Sequence, residues 1–113
     1  MIWIFVAAAA QADMAPIQIP YQAQPAFITY SNCVGHRAAS DPRSHSDKAA
    51  EVRQANADAL AACHDVRANE LARGLAAVDD KSTLIAPPFH SRAELRQAVN
   101  RAFDRYDADF EIR

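Results

Sequence analysis

The chain has 113 residues, enough for one domain, with a net charge of −2 and a pI near 6.0. That balance gives no sign of the basic face that electrostatic nucleic-acid binding needs, and the interspersed charges argue against a nucleic-acid tail or an acidic arm. Glycine occurs only 2 times while alanine is abundant, and alanine is the best helix former where glycine is among the poorest, so composition predicts an all-α fold.

The first stretch, MIWIFVAAAAQA, carries an apolar run from Ile2 to Ala10 and an A-x-A pattern at Ala10-Gln11-Ala12. That is the form of a secretory signal peptide over residues 1–12, cleaved before Asp13. It departs from the usual form in having no Lys or Arg ahead of the apolar run. A membrane span needs about 20 apolar residues, and this run is far shorter. The expectation is a periplasmic or secreted protein with no stable membrane anchor after processing.

Residues 13–26 contain Pro16, Pro20 and Pro25. Proline lacks an amide donor and disfavours helix in the residue before it, so this part reads as an extended arm. Ile17, Ile19 and Tyr21 alternate along it, which suits a strip laid across a helical body. A first helix is expected at about 26–35, with Phe27, Tyr30 and Val34 on one face. Gly35 and the following ASDPRSHS read as its end and a loop. Residues 36–45 are expected to run back as an extended segment.

The second helix is expected at 46–78, started by a Ser44–Asp47 capping-box pattern or by Ser46. Leu60, Cys63, Leu71, Leu75 and Val78 share one side of it, with Arg53, Asn56 and Arg67 intruding on that side. The connection DDKSTLIAPPFH holds Pro87-Pro88, which forbids helix, and Leu84, Ile85 and Phe89 are expected to pin it to the body. Ser91 and Glu94 form an S-x-x-E capping box for a third helix at about 92–107, with the stripe Leu95, Val99, Ala102, Phe103 and Tyr106, continued by Phe110.

Chemistry has few footholds in this chain. Its 2 cysteines are Cys33 and Cys63, and three readings of them compete: a disulfide, ligands of a metal site, or inert thiols. Export favours the disulfide, because thiols oxidise in that compartment. The metal alternative uses Cys33, His36 and Cys63, and His45 or His90 would have to complete a tetrahedral set. Cys63 and His64 are neighbours on a helix, about 100° apart, and do not aim at one ion. Cys63, His64 and Asp65 are also the residue types of a nucleophilic hydrolase, but adjacency in a helix splays them. No G-x-S-x-G, glycine-rich phosphate loop or H-E-x-x-H occurs. Asp104, Asp107, Asp109 and Glu111 lack the spacing and glycine of a calcium loop, and Arg101–Asp104 and Arg105–Asp109 read as solvated pairs.

The stretches TYSNCV and ADALAACHDVRANEL resemble small exported bacterial helical proteins of unknown function that carry one Cys in each of two helices. The likeness covers about residues 27–75 and implies a disulfide-joined helix pair with no activity. The sequence thus predicts three helices in a single helical domain, residues 27–113, with an extended arm and a Cys33–Cys63 disulfide. The expected function is non-enzymatic: an exported helical protein that binds another envelope protein or serves a structural role there, with no cofactor and no nucleic-acid partner. The alternatives are a metal-binding protein using Cys33, His36 and Cys63, and a small hydrolase.

Overall fold

The computed structural model describes residues 17–112. The expected signal segment and cleavage point, and residues 13–16 of the arm, lie outside the described residues. The described part is all-α, with helices and single 3-10 turns and no strand. It has four helices, not three: α1 Gln24–Ala39, α2 Ala49–Ala62, α3 His64–Asp79 and α4 Arg92–Glu111. None of them is long and apolar enough to cross a membrane.

After Ile17–Pro20, a 3-10 turn at Tyr21–Ala23 leads into α1, whose first turn holds Pro25. Tyr30, Val34 and Ala38 of α1 are buried, and Phe27 packs beside them. The helix does not end at Gly35. That glycine lies mid-helix, where an added Cβ would meet nothing within 4 Å. A glycine inside a helix costs only about 0.5–1 kcal/mol against alanine, and burial of Val34 and Ala38 on either side outweighs it. The helix stops where proline geometry stops it. Asp41 precedes Pro42 and is extended, at φ −88° and ψ 121°.

The return segment is therefore shorter than expected, and part of it is a 3-10 turn at Pro42–His45. The Arg43 guanidinium reaches both Asp41 and Asp58 at 2.6 Å, which lays the turn along α2. Ser44 sits within that turn and donates to the Asp41 carbonyl at 2.8 Å, so it does not cap α2. α2 starts later than expected, at Ala49, with no side-chain cap.

The expected single helix over 46–78 is broken at Cys63, which has φ −97° and ψ 13°. Cys63 N–H still reaches Ala59 O at 3.1 Å, and Arg67 N–H reaches Cys63 O at 2.9 Å. Cys63 is fully buried and bonded to Cys33, with the Cα atoms 6.1 Å apart. The break lets α2 and α3 both lie on α1 while this bridge closes. Gly74 of α3 meets Ala23 and Ala26, with Cβ contacts of 3.5 and 3.6 Å from an added methyl. Since Cys63 faces Cys33 and Gly74 faces the start of α1, these two helices run antiparallel.

Ser91 caps α4 as expected, its Oγ accepting from Glu94 N–H at 3.2 Å, but the Glu94 carboxylate accepts from His90 N–H rather than from Ser91, so half of the capping box forms. Leu95, Val99, Ala102, Phe103 and Phe110 are buried, Tyr106 packs against them, and the helix continues past 107 to Glu111. The centre is aromatic. Tyr30 stacks on Phe103 at 5.4 Å, and Phe27 meets Phe103 and Tyr106 edge-on at 5.6 Å.

Candidate functional site

The residues that the sequence offers for chemistry are not assembled into a reactive centre. Cys33 and Cys63 are joined to each other, so neither is a thiolate, and the alternative ligand set Cys33, His36 and Cys63 does not exist in this form. His36 is exposed on α1. His64 and Asp65 are also exposed, 3.6 Å apart, while Cys63 beside them is buried and bonded. No group of three or more metal-ligating side chains occurs among the described residues.

Charge instead gathers at Arg67, which intrudes on the apolar side of the expected second helix. Its guanidinium donates to Asp107 and to Asp104, each at 2.7 Å, and lies 5.8 Å from the centre of the Phe103 ring. Asp104 thus pairs with Arg67 rather than Arg101, whereas Arg105 and Asp109 do approach, at 3.6 Å. Tyr30 donates its hydroxyl proton to Asp107. Burial, and then that bond to a carboxylate, push the Tyr30 hydroxyl well above the ordinary phenol range. Burial works against the charge on Arg67, but its bond to Asp107 prevails and holds the guanidinium protonated more firmly than usual. Of the other two polar intruders, Arg53 is exposed, and Asn56 is buried and donates to the Phe110 carbonyl at 3.2 Å. These hydrogen bonds tie α1, α2, α3 and α4 together. Tyr30, Asp107, Arg67 and Asp104 form one polar network, exposed at its Asp104 end, and the Asn56–Phe110 bond stands apart from it.

One open feature among the described residues is a groove of about 430 Å³ between the arm and the connection that precedes α4. Buried Pro20 and Leu95 and half-buried Phe89 are among its lining. Tyr21, 79% exposed, stands on the arm side, and Leu84, also 79% exposed, stands opposite. None of the described residues that line it is charged, and its polar side chains are glutamines and the Tyr21 phenol.

Local sequence explains both walls. The arm cannot join α1 before Pro20, because proline holds Ile19 out of helix. The connection is anchored at its two ends. The Arg92 guanidinium donates to the carbonyls of Val78, Lys81 and Thr83 at 2.9, 3.1 and 3.0 Å. Phe89 packs against the core at the other end. Leu84 and Ile85 bridge between these anchors and are not pinned to the body as expected; Ile85 is 39% exposed. Pro87-Pro88, joined by a cis peptide bond, then turns the chain toward α4. The groove was not legible as a site in the sequence. Its signals were the spare apolar side chains of the arm and the connection, which are far apart in the chain.

No family model matches the chain, and neither characterised proteins nor solved structures show significant similarity to it.

Proposed function

We propose that this is an exported, non-enzymatic helical protein that binds another protein of the cell envelope through the groove between its arm and its connection. The observation that carries the reading is an uncharged apolar groove with Tyr21 and Leu84 exposed on its two sides. Large apolar side chains that gather at a concave surface mark an interaction site, where singly scattered ones do not. The polar groups around Arg67 are engaged with one another and the two cysteines are bonded, so neither set competes with the groove as a reading. The disulfide and the A-x-A pattern at Ala10–Ala12 support export.

A photo-crosslinking residue placed at Leu84 in living cells tests the binding. It should give one adduct containing a defined peptide of one partner protein, absent when the residue is placed at exposed Asp65 and lost when Tyr21→Asp is added. Identical adducts from both positions, or none from Leu84, would remove the reading. Intact-mass measurement tests export separately: the protein recovered from cells should begin at Asp13, and a full-length chain in the cytosol would overturn that part.

A further inference from the structure

The two walls of the groove share a property of the main chain. Residues 17–20 and 83–86 belong to no helix or turn. Ile19 precedes Pro20 and Ala86 precedes Pro87, which confines both to extended backbone. Along the arm, Ile17 and Ile19 are half-buried and Gln18 between them is exposed, the two-residue alternation of a strand. Among the described residues, the main-chain N–H and C=O groups of Ile17, Gln18 and Ile19 make no hydrogen bond, nor do those of Leu84 and Ile85. A segment with apolar side chains in a groove and an unpaired main chain has the character of an open sheet edge, which accepts another strand.

Resting on the binding role of this groove, we infer that its occupant is an extended segment of the partner protein, seated as a strand against one or both of these walls. Main-chain hydrogen bonds to Ile17–Ile19 or to Leu84–Ile85 supply the grip, and alternate side chains of the segment point into the groove. Those inward side chains are uncharged and apolar. A charge entering between Tyr21 and Leu84, where the described lining carries none, would lose hydration without gaining a counter-charge; Arg101 and Arg105 line only the adjoining cleft past Ile17, Gln18 and Phe89. A helical occupant would leave the walls' hydrogen-bonding groups unused, since its own main chain is internally paired.

A displayed library of random heptapeptides, panned against the full chain with its disulfide formed and counter-panned against Leu84→Asp, tests this. Peptides enriched on the unaltered chain alone should carry uncharged apolar residues at alternate positions, with no central proline. N-methylation of alternate amides of the best peptide should weaken binding tenfold or more on one register and leave it nearly unchanged on the other. In the complex, the amides of Gln18, Ile19, Leu84 and Ile85 should exchange hydrogen more slowly. Enriched peptides with helical spacing, binding indifferent to N-methylation, or no enrichment that depends on Leu84 would each overturn the strand mode. Those failures are separable from failure of the binding role: an adduct at Leu84 with a defined partner would still stand if only the strand mode fell.

Discussion

Tyr30 shows how a single polar atom is tolerated in this core. Its ring is stacked on Phe103 and its hydroxyl donates to Asp107, which is also held by Arg67. Tyr30→Phe keeps the stacking and deletes one charge-assisted bond, so it should lower unfolding free energy by about 1.5 kcal/mol near neutral pH. The pH dependence has a definite sign. The hydroxyl is raised above its unfolded value of 10.0, so its contribution is complete below pH 10 and is lost as pH rises above that. Denaturant titrations at pH 7 and pH 11 should therefore show a smaller alkaline loss in Tyr30→Phe than in the unaltered protein; equal losses would show that Tyr30 is not the group responsible. Gly35 makes the opposite case. An alanine methyl there meets nothing within 4 Å, so Gly35→Ala should raise stability by about 0.5–1 kcal/mol through helix propensity alone. An unchanged or lower melting temperature would contradict the mid-helix placement of this glycine.

At the scale of elements, legibility followed the strength of local signals. α4 was readable because its capping box and its stripe from Leu95 to Tyr106 agree, and only its end was placed early. The break at Cys63 was not readable. Neither proline nor glycine marks it, and Cys63 continues the apolar face of Leu60 and Leu71, so the cause is tertiary: the bridge to Cys33 and the packing of two helices on α1. Gly35 is the converse: its local penalty against helix is weak, and burial of its neighbours Val34 and Ala38 carries the helix through it. The groove walls were half legible. The prolines announced non-helical backbone, but nothing local tells that Phe89 is anchored and Leu84 is not. For α4 the decisive residue is Phe103, fully buried among Phe27, Tyr30 and the Arg67 guanidinium. Phe103→Ala should cost roughly 3–5 kcal/mol, which rivals the whole stability of a small domain. Urea unfolding measures it, and a shift below about 1 kcal/mol would mean that the aromatic cluster is not the centre of the core.

Across the whole molecule, the disulfide meets the elements where packing is weakest. α2 fully buries only Ala55, Asn56 and Ala59, with Leu60 its one larger apolar side chain packed partly buried against the core, whereas α4 buries Leu95, Val99 and two phenylalanines. The bridge joins the middle of α1 to the junction of α2 and α3 across a sequence separation of 30. Closing a loop of that length in the unfolded chain is worth roughly 3–4 kcal/mol by chain entropy. The Cys33→Ala/Cys63→Ala chain should lose about that much in denaturant unfolding, and it should do so unevenly. Amides of α2 should exchange hydrogen fastest once the bridge is gone, since little apolar area remains to hold that helix, while those of α4 keep the protection of the aromatic core. Loss of protection spread evenly over all four helices would indicate that the bridge stabilises the fold only globally. An unchanged midpoint would mean that the cysteines contribute nothing to the fold they connect.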